Sequence, residues 1–167
     1  MSLFAAADSW SAITGLAIAS LLSIVTGIVA GFATTTLVHE WFHYLGARLT
    51  AGDYEIPKKM SLFVFDWSFP KNNLKQFYTM SIAGSFGGLA GIALLWLCIP
   101  TDTAGRAALV ASGVASFAFA AVIEWPVLMR TRKTGDPLGE LSKIDERVLM
   151  RATLTSALVG WFSWAMM

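Results

Sequence analysis

Charge is what this sequence has least of. Lysine, arginine, aspartate and glutamate together make up 14% of its 167 residues, where a soluble domain carries about 25%. The apolar share is 56% and the mean hydropathy is +0.62. A water-soluble fold is excluded by that balance, and a membrane composition remains. The formal net charge of +1 sets up no global field to attract nucleic acid. The single cysteine, Cys98, lies in an apolar run, so no internal disulfide can form. No basic segment leads into the first apolar run, Asp8 precedes it, and the alanines at 5–7 come before it. A secretory signal peptide is therefore not expected. No internal repeat, low-complexity tract or second soluble domain is visible, so the chain reads as one domain.

Long uncharged stretches are what is present. Residues 9–38, 76–101, 107–123 and 152–167 carry no charge, and apolar character continues from the third stretch to Met129 with Glu124 as the exception. A helical span needs about 20 apolar residues. The expected fold is an all-α integral membrane protein with four transmembrane helices, near 12–36, 77–99, 105–129 and 147–166. The first helix is expected to continue past its hydrophobic part to about Leu49.

Basic residues sit in two of the connections. The loop 48–75 holds Arg48, Lys58, Lys59, Lys71 and Lys75; the loop 130–147 holds Arg130, Arg132, Lys133, Lys143 and Arg147. The turn 100–106 holds only Arg106, and the segment before the first span holds no basic residue. The positive-inside rule then puts both long loops in the cytoplasm and both termini outside. Trp10, Trp96, Trp161 and Trp164 fall near the outer interface, where indole rings settle. Gly27 and Gly31, Gly84 and Gly88, and Gly87 and Gly91 are each spaced for close helix approach. Packing within the chain is the favoured reading of these pairs over a dimerisation face.

The segment LVHEWFHYLGARL, residues 37–49, carries the chemistry. His39 and His43 stand four apart on a helix, so their rings share one face and can reach one zinc ion. They are the only two histidines in the chain. Glu40 is placed to act as general base on zinc-bound water. A buried Glu between two His near a membrane is costly unless it is used; the bland alternative pairs Glu40 with Arg48 or a loop lysine. A catalytic zinc needs a third protein ligand, and spacing alone leaves two acids open. Asp136 follows the third span on the side of the histidines, but Asp136-Pro137 also reads as a helix N-cap followed by proline. Glu124 lies inside the third span near its cytoplasmic end, but could pair with Arg130 or Arg132. Asp66, Glu140 and Asp145 are weaker candidates.

TTLVHEWFHYLGARLTAG resembles the first motif of the site-2 protease family of intramembrane zinc metallopeptidases, including Ala47, Arg48 and the turn at Gly52. SIAGSFGGLAGIALL is similar to that family's second core helix, and TGDPLGELSKI to the aspartate segment of its shorter members. The resemblance spans about residues 30–145. It implies a zinc endopeptidase that cuts a membrane-protein substrate in or near a transmembrane segment, with Glu40 catalytic and Asp136 as third metal ligand. The family's third motif has Asn-Pro followed closely by Asp-Gly. Here Pro126 stands ten residues before Asp136, and Pro137 takes the glycine's place.

SLFVFDWSF, residues 61–69, alternates. Phe63, Phe65, Trp67 and Phe69 would share one face of a short strand or hairpin in the loop after the first span. By the family resemblance this strand would hold an extended substrate segment; otherwise it is an aromatic interfacial anchor. The alternative to an enzyme is a non-catalytic, metallopeptidase-like subunit of a larger membrane complex. A channel or transporter is disfavoured by the scarcity of ionisable groups in the spans. The expected location is a bacterial inner membrane, with the active-site face toward the cytoplasm.

Overall fold

A computed structural model describes residues 1–58 and 64–167. Six helices and one small sheet follow in the order α1 (Ser2–Thr14), α2 (Ala17–Leu49), β1 (Tyr54–Glu55), β2 (Asp66–Trp67), α3 (Leu74–Cys98), α4 (Ala104–Thr134), α5 (Pro137–Leu141) and α6 (Glu146–Ala165). Three helices, α2, α3 and α4, are long and apolar enough to cross a membrane. Helix α6 covers the fourth expected span, but Arg147, Arg151, Thr153, Thr155 and Ser156 dilute its apolar character.

The expected first span begins differently. The uncharged run from residue 9 is broken by Gly15, whose φ of 63° and ψ of 11° end α1 in a left-handed cap. Helix α2 then starts at Ala17 and ends, as the sequence suggests, at Leu49. At 1.5 Å per residue α2 is about 50 Å long, well beyond a hydrocarbon core of about 30 Å. Helix α1 folds back along it. Ser11 and Ser20 bond through their hydroxyls at 2.8 Å, and Met1 Sδ reaches 3.9 Å from Thr34 Oγ1. The first residue therefore lies part-way along α2 and not beyond its end.

The buried face of α2 includes Ala19, Ser23, Gly27, Gly31, Thr35, His39, His43 and Ala47. That is a strict four-residue ladder of small residues with the two histidines as its lower rungs. Because four residues turn a helix by about 400°, each rung rotates the ladder by about 40° around α2, and the partner helix changes along it. A Cβ on Gly31 would overlap the Leu109 carbonyl of α4. Thr35 packs at Gly91 of α3 and Gly113 of α4. A Cβ on Gly84 of α3 would overlap the His43 ring. The expected close-approach pairs are thus spent within the chain. Lipid offers helices no hydrophobic reason to associate, so small-residue contact and hydrogen bonds carry this packing. Among the bonds are Thr36 with Ser116 at 2.9 Å, Ser156 to the Ala115 carbonyl at 2.8 Å and Trp125 to Ser85 at 3.1 Å.

Helix α4 is the hub. It packs on α2, α3, α5 and α6, and Leu109 and Val110 are fully enclosed. It runs through Pro126 to Thr134, past the expected end at 129. Proline is tolerated in a membrane helix where neighbours take up the freed backbone groups. Side-chain caps start the helices that follow connections: Asn73 with Gln76 for α3, Thr103 for α4, Asp136 for α5 and Asp145 for α6.

Asp8, which precedes the first uncharged run, is buried. It accepts from Ser23 at 3.2 Å, Thr103 at 3.0 Å and Arg106 Nε at 2.7 Å. This network ties α1 to α2 and to the start of α4. Of the expected strand over 61–69, residues 61–63, Phe63 included, lie outside the described residues; among the rest, Asp66–Trp67 is extended, paired antiparallel with Tyr54–Glu55, and Phe69 begins a single 3-10 turn.

Candidate metal centre

Three helices bring their side chains to one depth. His39 and His43 stand ten and six residues before the end of α2, Glu124 ten residues before the end of α4, and Met80 six residues after the start of α3. Each is therefore about 9–15 Å along its helix from the end that carries the basic loops. His39 Nε2 lies 2.8 Å from Glu124 Oε1. His43 Nε2 lies 3.0 Å from His39 Nε2 and 3.4 Å from Glu124 Oε1. Among the described residues this is the one group of three or more such side chains close enough to share a metal ion.

Tautomers sharpen the reading. The Nδ1–H of His43 donates to the Met80 carbonyl at 2.9 Å, which leaves its Nε2 lone pair aimed at His39 and Glu124. A lone pair and a carboxylate oxygen cannot face one another in a buried site without a proton or a cation between them. Around a tetrahedral zinc with bonds of about 2.0–2.1 Å, neighbouring ligand atoms stand about 3.3 Å apart. Of the observed separations, 3.4 Å already matches, and 2.8 and 3.0 Å need to open by about half an ångström or less. The bond from His43 to Met80 is the outer support that metal-ligating histidines usually have. His39 Nδ1 is buried without a hydrogen-bond partner. Two nitrogens and one carboxylate fit a zinc ion with a position left open.

Glycine at position 84 is required here. The imidazole of His43 lies where a Cβ would be, so only glycine lets α3 come near enough for Met80 to accept its hydrogen bond. At Gly88, one turn further along, a Cβ would overlap the Phe117 ring and come into ordinary contact with His39 Nδ1.

Sequence-expected residues separate into two sets. His39, Glu40, His43 and Glu124 are brought together; Asp136 is not. Its carboxylate is exposed and caps α5, Oδ1 accepting from the Gly139 N–H at 2.9 Å. The alternative pairings resolve as well. Arg130 bonds Glu140 at 2.8 Å, not Glu124, and Arg48 lies over the Tyr44 ring at 5.9 Å. Glu140 is buried between Arg130 and Lys143; with Lys143 the larger influence, its carboxyl is held below the ordinary 4.5. Asp145 caps α6.

A cavity of about 430 Å³ opens beside the metal group. Its polar lining is Glu40, His43, Ser81, Glu124 and Asp66. Phe65, Trp67, Phe69, Phe77, Met80 and Leu141 supply most of the rest. The aromatic face expected of the loop after the first span does border the site, although through a two-residue strand. Sequence reasoning missed Ser81, which is 7% exposed, and the Met80 carbonyl. A backbone acceptor leaves no mark in a sequence. Glu124 was legible, as the lone charge inside an apolar span.

Comparison with protein-family models, with curated proteins and with solved structures gives no match.

Proposed function

We propose that this chain is a membrane-embedded zinc metalloendopeptidase, in line with the resemblance of its first motif to the site-2 proteases. One observation carries the reading: Glu124, 85 residues from His39, completes a three-ligand set with both histidines of the His-Glu-x-x-His segment. In this reading Glu124 replaces Asp136 as third ligand. Helix α6 crosses the bilayer as a fourth span. The basic α2–α3 and α4–α6 connections support a site end at the cytoplasmic face of the membrane.

Bound to His39, His43 and Glu124, a zinc ion would polarise a peptide carbonyl and acidify water. The chain supplies the remainder. Glu40 lines the cavity beside His43 and Glu124; it takes a proton from the attacking water and returns it to the leaving amine. Met80 holds the His43 ring in the tautomer that leaves Nε2 free.

Glu40→Gln tests the proposal, because it keeps size and ligands and removes the base. The protein is incubated in nanodiscs with a panel of single-span membrane peptides, and cleavage is read by mass spectrometry. Zinc is expected to stay at about one per chain while cleavage falls about 10²- to 10⁴-fold. Unchanged cleavage would overturn Glu40 as the base, and no cleavage by the wild type with zinc bound favours a non-catalytic subunit of a membrane complex. The internal use of the glycine faces counts against that second reading.

A further inference from the structure

The cavity beside the candidate metal group has the volume and lining of a pocket for one large side chain. Its volume is about 430 Å³. The same volume lies within the range of pockets for small ligands. Its lining divides by chemistry: the polar groups include the candidate base and two candidate ligands, and the apolar remainder is rich in aromatic rings. Phe65 and Phe77 are themselves buried, at 8% and 4% exposure, so their positions are fixed before any ligand arrives. Tyr54 packs edge-on against Phe65 at 5.6 Å between ring centres, and Phe69 lies 6.2 Å from Phe77. Leu141 closes part of the wall from α5, which Glu140 anchors to Arg130 and Lys143.

Resting on the metallopeptidase reading, we infer that this cavity is a specificity pocket for a bulky apolar, preferably aromatic, side chain next to the bond presented to the metal. Ring edges and faces reward an aromatic guest beyond its area, and the Met80 thioether adds to that preference. Selection is made by one side chain at the site.

The test needs no known substrate. Full-length protein in nanodiscs is loaded with Co²⁺, and its absorption bands follow the binding of three probes: acetohydroxamate, 3-phenylpropionohydroxamate and octanohydroxamate. The phenyl probe is expected to bind about 10- to 100-fold more tightly than acetohydroxamate and more tightly than the octanoyl probe. Leu141→Trp, which fills the cavity, is expected to bring the ratio of phenyl to acetyl affinity toward one. Leu128→Trp serves the same purpose if the first variant does not fold. Partition into lipid is common to wild type and variant and drops out of that comparison. Equal affinities for acetyl and phenyl probes on cobalt-loaded protein would overturn the pocket and leave the metal centre standing. Preference for the octanoyl probe would overturn the side-chain guest in favour of an acyl chain. Absence of cobalt bands in the wild type would overturn the metallopeptidase reading and this inference with it.

Discussion

Glu124 Oε1 stands 2.8 Å from His39 Nε2, and that contact decides which acid completes the candidate site. It spans two helices, α2 and α4, whose spacing is set two turns and more away, where Gly31 admits the Leu109 carbonyl. A metal ligand set of this kind is assembled by backbone approach, not by local sequence.

Metal content separates the two acids. Wild type is expected to hold about one zinc per chain by inductively coupled plasma mass spectrometry. His43→Ala and Glu124→Ala should weaken zinc binding by at least about 100-fold, since removing even an outer partner of a ligand costs 10- to 100-fold. Asp136→Ala should keep its zinc and lose about 1 kcal/mol from the missing cap. Zinc lost from Asp136→Ala and kept in Glu124→Ala would reverse the assignment.

Gly84→Ala adds a single carbon where the His43 ring sits. Zinc affinity should fall by an amount comparable to loss of the Met80 support, about 10- to 100-fold. Gly15→Ala meets no atom within 4 Å, but its φ of 63° is unfavourable for alanine. It should cost about 1 kcal/mol of thermal stability and leave zinc unchanged. Equal zinc loss in both variants would mean that the close approach of α3 is not what positions His43.

Asp8→Ala removes the acceptor for Ser23, Thr103 and Arg106. Hydrogen bonds to a charged group contribute about 1.5–3 kcal/mol each, and Arg106 keeps Asp102 at 2.9 Å. A net loss of about 2–3 kcal/mol is expected, with faster amide exchange confined to α1. Zinc content should not change. Unaltered exchange in α1 would show that the network does not hold it.

Acid should loosen α5 before it unfolds the helices around it. Lys143, and then Arg130, hold the Glu140 carboxyl below its ordinary 4.5. A depressed carboxylate stabilises the fold above 4.5, and that contribution fades as pH falls below it toward the lowered value. Amide exchange in 137–144 should therefore rise below about pH 4.5. Glu140→Gln should show the raised exchange already at neutral pH and no further change on acidification. A wild-type profile that stays flat to pH 3 would contradict the role given to this carboxylate.

Much of the protein is legible from its residues alone. Scarcity of charge and the uncharged runs establish membrane helices, because buried backbone in lipid must satisfy itself. Four-residue spacing puts His39 and His43 on one face by helix geometry alone. Asp136-Pro137 spells a helix start, and the structure agrees with that reading of the pair. The break at Gly15 was hidden inside an uncharged run, since hydropathy records burial and not the sign of φ. The alternation at 61–69 suggested a short strand or hairpin, and among the described residues Asp66–Trp67 pairs with Tyr54–Glu55 while Phe65 packs inward.

Tertiary structure decided the rest. No local pattern reports that Asp8 would find Arg106, or that Met80 would offer its carbonyl to His43. Nor could spacing choose between Glu124 and Asp136. Depth in the bundle and the rotation of the buried ladder around α2 determine which acid faces the histidines. Those are set jointly by the glycines of three helices. The sequence by itself determined that two imidazoles share a helix face near the end of a membrane span, with Glu40 beside them in the chain. The fold determined what stands opposite them, because that distance runs across the chain, not along it.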